Sequence, residues 1–281
     1  MGRFEGKVGV VTGGGTGIGL ACARAIVEGG GRVFLAGRRE AVLRAAAEQL
    51  GPAADYVVCD VADDASVASA FANVEKTAGA LHLAVNAAGT GTVGSVLNGP
   101  VSEFTRVLET NLTGAYRAMQ HEARLMARSG GGSIVNISSI AGTHTHRWMT
   151  AYCVAKAGLN MLTRCAADDL GELGIRVNAV APGLVPTDLA AGLVANEETV
   201  AEYLRRMPLA RLGHDGRHCA CRGLPAERRS ELDYGDGRGR RRGPPSSAGA
   251  RPAAPVPPHV RGRGRQPGSG PGLTPPQAAL R

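Results

Sequence analysis

The sequence predicts an α/β protein with a doubly wound parallel sheet and helices on both faces. Two observations favour this fold class. Short apolar runs rich in Val and Ile alternate with longer segments of helical periodicity, and glycine or polar residues follow several of these runs directly. Such alternation forms right-handed βαβ units, whose ligands bind beyond the carboxyl ends of the strands. The glycine and polar residues therefore mark a predicted binding edge.

The predicted elements follow one another along residues 1–213. Six buried strands are expected at Lys7–Val11, Arg32–Ala36, Tyr56–Cys59, Leu81–Val85, Ser133–Ile137 and Ile175–Val180. Helices are expected at Ile18–Glu28, Glu40–Leu50, Ala65–Thr77, Val101–Arg128 and Thr150–Leu173. The residues expected to converge beyond the strand ends are Gly13, Asp60, Asn86, Ser139 and Pro182.

Charge and composition divide the chain near residue 213. Residues 1–213 contain 19 Lys+Arg and 19 Asp+Glu, whereas residues 214–281 contain 13 and 5 and supply the whole net charge of +8. Eleven of the 16 prolines also lie in residues 214–281. We predict one domain over 1–213 and a disordered basic tail over 214–281. The chain has no apolar run of the roughly 18 residues that span a membrane. Its six cysteines form no disulfide framework, so we expect a cytoplasmic protein without membrane contact.

The segment TGGGTGIG, from Thr12 to Gly19, predicts a dinucleotide site. It follows the first predicted strand and opens the first helix. Glycines permit a tight turn and close approach of the backbone to a pyrophosphate, and the helix N-terminus adds unpaired N–H groups and the positive end of its dipole. The expected cofactor contacts in this loop are Gly13, Gly15, Thr16, Gly17, Ile18 and Gly19.

Arginines after the second strand favour NADP over NAD. Dinucleotide folds that prefer NAD usually place an acid there to bind the ribose 2′-hydroxyl. This chain has Arg38 and Arg39 instead, and guanidinium groups favour a 2′-phosphate. NAD remains the alternative, because arginines at a helix start can simply be solvated.

Two further strand ends are expected to contact the cofactor. After the third strand, Asp60 can accept a hydrogen bond from the adenine amino group, with Val61 beside it. After the fourth, the segment of Asn86, Ala87 and Gly89 has small residues that let the cofactor lie against the backbone. An Asp or Asn at a strand end can also be only a turn former.

Tyr152, Lys156 and Ser139 predict proton transfer at a carbonyl or alcohol. Tyr152 and Lys156 are four residues apart and share one face of a helix. A free tyrosine has a pKa of about 10. A nearby ammonium group and an oxidised nicotinamide lower it, so that Tyr152 can act as general acid in reduction and general base in oxidation. Ser139 is expected to hydrogen-bond the substrate oxygen. With the glycine loop, these residues indicate an oxidoreductase for a small ketone or secondary alcohol.

These motifs together resemble those of the classical short-chain dehydrogenase/reductase family over about residues 6–213. The resemblance implies a single Rossmann-type domain, commonly a homotetramer, so we expect a tetramer or dimer. It implies that Asn111 is a fourth catalytic residue, which supports the lysine and a proton-relay water, and that Ser139 rather than Ser138 is the catalytic serine. The further cofactor contacts that it implies are Tyr152, Lys156, Pro182, Gly183 and Thr187. Ala87 departs from the family's Asn-Asn-Ala-Gly element, which weakens one structural hydrogen bond.

The substrate region does not identify a substrate. Thr143–Met149 and Asp188–Met207 are expected to flank the pocket. His144, His146 and Trp148 could contact substrate or only form the rim. The two histidines lack a Cys or acid partner in the sequence, so we assign no metal, and we expect no nucleic acid partner.

The tail departs from the family's pattern after Met207–Gly213. The family normally ends with one more helix and a seventh strand, so we expect the sheet to lack that strand and to expose an edge. Codons chosen for His214–Arg242 and read one base along can encode TTEDIARAVAFLLSDAASWITGTVAVDGG, which resembles that ending. We hypothesise that the tail is an out-of-frame translation. Resequencing that returns an uninterrupted frame identical to this chain would overturn the hypothesis.

Alternatives remain open for the tail and for the whole chain. Arg/Gly- and Pro-rich tracts can bind RNA or acidic partners without folding. A metal ion could be bound by His214, His218, Cys219 and Cys221. For the whole chain, the alternatives are a non-catalytic dinucleotide-binding protein and an inactive truncated member of the family with a nucleic-acid-binding tail.

Overall fold

The computed structural model describes residues 2–206, 212–213 and 232–234. All of them belong to a unit that spans Met1–Arg240, and a second unit, Arg241–Arg281, lies outside the described residues. The predictions for residues 214–231 and 235–281 also fall outside them. These are the disordered tail, the metal cluster of His214, His218, Cys219 and Cys221, and the out-of-frame reading.

Seven parallel strands form one sheet. They are β1 (Val8–Thr12), β2 (Arg32–Gly37), β3 (Ala54–Val58), β4 (Leu83–Asn86), β5 (Gly132–Ile137), β6 (Ile175–Ala181) and β7 (Leu232–Tyr234). Their order across the sheet is β3-β2-β1-β4-β5-β6-β7. The chain therefore runs outward in one direction from β1 to β3 and in the other from β4 to β7. Ligands of such sheets bind in the crevice at this switch point, outside the carboxyl ends of the strands.

Helices cover both faces of the sheet. They are α1 (Gly17–Glu28), α2 (Glu40–Leu50), α3 (Asp64–Ala78), α4 (Val101–Leu108), α5 (Gly114–Arg128), α6 (Thr150–Leu170), α7 (Ala191–Val194) and α8 (Glu197–Arg206). On one face, Phe71 of α3 and Met126 of α5 pack into a cluster with Val10 of β1. On the other face, Ile26 of α1 packs into a second cluster with Val11 of β1. Successive strand residues thus pack on opposite faces of the sheet. Each buried side chain of this size stabilises the folded state by about 1.5–3 kcal/mol.

The six predicted strands are confirmed, with ends within two residues of the prediction. Burial on both faces holds for the central strands β1, β2, β4 and β5. It does not hold for β3, an outer strand whose Val58 is 51% exposed, or for β6, whose alternate residues are only partly buried. The difference arises because apolar runs in the sequence do not show which strands lie near an edge.

The predicted helix Val101–Arg128 is a continuous helical segment with a defect in its middle. A π-helical turn, Glu109–Thr113, separates α4 from α5. Such turns occur frequently at functional sites. The predicted helix Thr150–Leu173 ends earlier, at Leu170, and Gly171–Leu173 form a 3₁₀ turn.

The strand β7 corrects the expectation that the sheet lacks a seventh strand. Leu232–Tyr234 pair in parallel with residues 179–181 of β6. Pairing of this kind uses backbone N–H and C=O groups, so an extended segment of almost any sequence can cover an open edge. None of the described helices is long and apolar enough to cross a membrane.

Candidate active site

A cavity of about 340 Å³ opens beyond the carboxyl ends of the strands. The loops after β1 to β6 and the first turns of α6 line it. The structure brings together there all of the sequence-predicted catalytic and cofactor residues except two, Asn86 and Asn111. Both of these lie behind the cavity wall and are buried. The doubly wound topology thus places the predicted nucleotide end and the predicted chemical end in one site.

The glycine loop is packed so closely that side chains do not fit at three of its positions, Gly13, Gly14 and Gly19. Gly13 has φ +66°, and a Cβ there would lie 2.8 Å from the backbone of Ala87. A Cβ on Gly19 would lie 2.2 Å from the carbonyl oxygen of Gly13. The loop after β1 therefore contacts the loop after β4 and the first turn of α1 backbone to backbone, which leaves an open cradle for a phosphate group.

Ser139, rather than its neighbour Ser138, is the serine that lies beside Tyr152. The Ser138 hydroxyl lies 2.6 Å from Oδ1 of Asn160 and points into the core. Ser139 precedes a 3₁₀ turn, and its Oγ accepts a hydrogen bond from the backbone N–H of Ala141 at 3.1 Å. The Ser139–Tyr152 hydrogen bond lowers the pKa of the phenol, but burial has the larger effect and raises it to about 12.

Lys156 lies one helical turn after Tyr152 on the same face of α6. Its Nζ is 5.6 Å from the centre of the Tyr152 ring and donates a hydrogen bond of 2.7 Å to the carbonyl oxygen of Ile137. Burial lowers the pKa of Lys156 to about 8. We expected the ammonium group to lower the pKa of Tyr152, whereas burial is the dominant effect on both residues. The reason is that a low-dielectric site opposes each charged form.

Asn111 lies in the π-helical turn and holds the loop after β4. Its Nδ2 donates to the carbonyl oxygens of Thr90 (2.7 Å) and Val107 (2.9 Å). Its Oδ1 accepts from the backbone N–H of Thr90 at 3.2 Å. A Cβ added to Gly89 would lie 2.8 Å from this oxygen and 4.0 Å from Nζ of Lys156. The amide group thus has both hydrogens engaged and lies close to the lysine, and it ties the loop after β4 to the π-helical turn.

Asn86 is the last residue of β4, and its side chain points into the core instead of the cavity. Its Nδ2 donates to Oε2 of Glu122 and to Oδ1 of Asn136, both at 3.1 Å. Its Oδ1 accepts from the hydroxyl of Thr12 at 3.4 Å. Its neighbours Ala87 and Gly89 line the cavity, and the Asn86 side chain ties their loop to β1 and β5. A cofactor contact of Asn86 itself stays a prediction.

The two arginines after β2 line the cavity at its outer end. Arg38 and Arg39 are exposed, and within the described part of the chain neither forms an ion pair. The nearby acid, Glu40, is engaged by Arg44 at 2.7 Å and by the hydroxyl of Tyr56 at 3.2 Å. Glu40 thus pairs with Arg44 of its own helix and not with Arg38 or Arg39. Both of these arginines line the open site.

Comparisons with known proteins agree with this geometry. A family model described as Enoyl-(Acyl carrier protein) reductase matches residues 13–220. The chain is 37% identical over 209 residues to carbonyl reductase family member 4 of Danio rerio. This match covers 74% of this chain and 85% of that protein. It is 34% identical over 214 residues to the L-tagatose-forming galactitol 2-dehydrogenase of Cereibacter sphaeroides, covering 75% and 84%. A solved actinorhodin polyketide ketoreductase variant with NADPH has a TM-score of 0.78 and 29% identity, over 84% of this chain and 98% of that one.

The chain belongs to the classical short-chain dehydrogenase/reductase family. As a member of this family it is an oxidoreductase that acts on CH–OH groups, and its Rossmann-type fold is one that binds NAD(P). The predicted catalytic residues Ser139, Tyr152 and Lys156 lie around one cavity.

The substrate end of this short-chain dehydrogenase/reductase is lined by residues from both segments that the sequence predicted to flank the pocket. His146, Met149 and Tyr203 line the cavity, and the rings of His146 and Tyr203 stack at 5.5 Å with an interplanar angle of 29°. Trp148 does not line it; its ring is half exposed under the guanidinium of Arg147. The His146–Tyr203 contact joins the loop before α6 to α8, and spacing along the chain could not have revealed it.

Proposed function

We propose that this enzyme interconverts a small ketone and a secondary alcohol by hydride transfer with NADP(H), and that Tyr152 is its general acid and base. The observation that carries the proposal is the convergence of Ser139, Tyr152 and Lys156 in the same cavity as the glycine loop. One half of that cavity is built for a dinucleotide, and the other holds a phenol that can move a proton.

The residues present fit a dinucleotide. Gly13 and Gly19 line the cavity at positions where a Cβ would clash with the backbone, so the loop has no side chain there. The N-terminus of α1 directs its N–H groups and positive dipole end toward this loop. Arg38 and Arg39 at the outer end offer two guanidinium groups for a 2′-phosphate. When bound, the cofactor supplies or accepts the hydride.

The chain's own residues would then handle the oxygen and its proton. In reduction, Ser139 orients the substrate carbonyl and Tyr152 donates its phenolic proton to the oxygen. Burial keeps Tyr152 protonated at neutral pH, because it raises the pKa to about 12. In oxidation, the phenolate accepts the alcohol proton, and a positive charge beside it favours that form. Lys156 supplies this charge at pH 7, since its pKa is about 8.

The test is an equilibrium titration of the purified chain with NADPH and with NADH, followed by turnover. Candidate substrates are a panel of ketones and secondary alcohols, with an α,β-unsaturated thioester included to detect reduction of a carbon–carbon double bond. Tighter binding of NADPH and turnover of the ketones would support the proposal. Binding without turnover of any substrate would favour a non-catalytic dinucleotide-binding protein, and reduction of the thioester alone would replace ketones as the substrate class.

Replacing both cavity arginines should change cofactor preference. We expect Arg38→Ala/Arg39→Ala to weaken NADPH binding about 10- to 100-fold, because each charge-assisted hydrogen bond contributes about 1.5–3 kcal/mol before solvent screening. NADH, which has no 2′-phosphate, should bind as before. The matched control is Arg44→Ala, because Arg44 pairs with Glu40 on the same helix. An equal loss of affinity for NADPH and NADH would show that the arginines do not bind the 2′-phosphate.

A further inference from the structure

A buried acid lies in the apolar stripe of α5. Glu122 is fully buried, in line with Ala118, Met119 and Met126 of the same helix. Its Oε2 accepts one hydrogen bond, from Nδ2 of Asn86 at 3.1 Å. Its Oε1 has no hydrogen-bond partner among the described residues. An ionised carboxylate buried in this way is strongly disfavoured, so the group is stable as the neutral acid.

Glu122 is one end of a network that joins five elements beneath the cavity. From its partner Asn86, one branch leads to Thr12 at the end of β1, whose Oγ1 accepts from the backbone N–H of Ala88 at 3.4 Å. The other branch leads to Asn136 of β5, which donates to Oγ1 of Thr163 in α6 at 2.9 Å. The network thus supports the residues just before the glycine loop, the loop after β4 and the helix that carries Tyr152 and Lys156.

The groups that face Glu122 in this network are neutral. The side chains of Thr12, Asn86, Asn136, Thr163 and Met119 do not ionise.

A titratable group near Glu122 is the thiol of Cys59, which directly follows β3. Burial, then Asp60, then Glu122 raise the pKa of Cys59 to about 11, so the thiol is also uncharged. Burial raises the pKa of Glu122 to about 8, and the bond from Asn86 offsets only part of this.

We propose that Glu122, as a neutral carboxylic acid, is a positioning residue that fixes the Asn86 amide and thereby the two loops that cradle the dinucleotide, and that its ionisation weakens cofactor binding. This role rests on the proposed function of the cavity. Glu122 itself lies behind the wall and acts through Asn86. Ionisation would draw water or a rearrangement into the core beneath both loops, because the charge has no partner there.

The first experiment detects the neutral acid directly. Infrared difference spectra of the full chain at pH 6 should show a carbonyl-stretch band of a protonated carboxylic acid that is absent from Glu122→Gln. The band should disappear from the wild-type spectrum as the pH is raised through about 8. Identical carboxylic-acid bands in the two proteins would overturn the proposal.

The second experiment measures NADPH affinity by fluorescence at pH 6, 7, 8 and 9. Glu122→Gln keeps the acceptor for Asn86 and cannot ionise, so it should bind as wild type at pH 6 and about 10-fold more tightly than wild type at pH 9. Lys156 titrates in the same range in both proteins, so the ratio of the two affinities is the readout. Glu122→Met offers Asn86 only a weak thioether acceptor and should bind NADPH less tightly than Glu122→Gln at every pH. The control is Glu172→Gln, at an exposed acid.

The outcomes separate this role from the proposed function. A wild-type to Glu122→Gln affinity ratio that does not change with pH would overturn the role of Glu122 while leaving the dinucleotide site in place. Failure of the wild type to bind either NADPH or NADH would overturn the proposed function, and the positioning role with it.

Thermal unfolding gives a readout that needs no cofactor. The pKa of Glu122 is raised from 4.5 to about 8 in the folded state, so its stabilising contribution is complete below about pH 4.5 and is lost as the pH rises toward 8. The melting temperature of the wild type relative to Glu122→Gln should therefore fall across this range. If Glu122→Gln does not fold, Glu122→Met, which removes the ionisable group, replaces it in this comparison. A constant difference would overturn the proposal.

Discussion

Tyr152→Phe is expected to lower kcat about 10²- to 10⁴-fold, the usual contribution of a positioned general acid or base. The substitution removes the phenolic oxygen and leaves the ring, which packs against Val107 and Ala155 in a buried cluster. The polar interaction with Ser139 is lost with it. Cofactor affinity should change only a few-fold, because the glycine loop and the arginines are untouched. Steady-state turnover and an equilibrium titration with NADPH measure the two effects.

The matched control for this prediction is Tyr116→Phe. Tyr116 lies half exposed on α5, where its hydroxyl accepts a hydrogen bond from Gln120 at 3.3 Å, outside the cavity. It should retain wild-type turnover. If Tyr152→Phe kept more than a tenth of wild-type kcat, another group would have to supply the proton, and the role assigned to Tyr152 would be wrong.

Gly19→Ala is expected to disrupt the cofactor site and destabilise the fold. The added Cβ would lie 2.2 Å from the carbonyl oxygen of Gly13 and 2.8 Å from its carbonyl carbon, so the loop after β1 must move. Gly13 cannot easily give way, because it packs against the backbone of Ala87. Overpacking of this kind costs about 1–3 kcal/mol. A displacement near 1 Å at a binding element can lower kcat/KM on the order of 10²-fold.

The control for Gly19 is Gly171→Ala. Gly171 follows α6 with φ −60° and ψ −40°, and a Cβ there meets nothing within 4 Å. The substitution should leave cofactor binding unchanged and stabilise the chain by about 0.4–1 kcal/mol through the unfolded state. Urea denaturation and NADPH titration of both variants check the pair. Similar behaviour of Gly19→Ala and Gly171→Ala would mean that the close contact with Gly13 is not a real constraint.

Much of the fold could be predicted because its signals are local. The Val- and Ile-rich runs identify β1 to β6, and the glycines after β1 can only be explained by a tight turn into α1. Three features could not be predicted. The π turn at Glu109–Thr113 leaves no mark in the helical periodicity, and β7 pairs through its backbone. The partial exposure of β3 and β6 depends on their places in the sheet.

The candidate site shows the same division. Residues next to a strand end, such as Gly13, Arg38 and Ser139, reach the cavity because the parallel sheet brings all strand ends to one edge. Asn86 occupies such a position too, yet its side chain alternates to the core side of β4. The burial of Glu122 could have been predicted from the sequence, because a charged residue within an apolar stripe at helical spacing indicates a buried polar partner.

By itself the sequence determined the family's motif set, the order of strands and helices from β1 to β6, and the residue types available for chemistry. Only the tertiary structure decided which side chains share an environment. It showed that burial governs the pKa of Tyr152 and Lys156, that Asn111 and Asn86 support loops from behind, and that His146 meets Tyr203. The physical reason is that motifs record local backbone requirements, whereas desolvation and hydrogen bonding depend on neighbours that are distant in the chain.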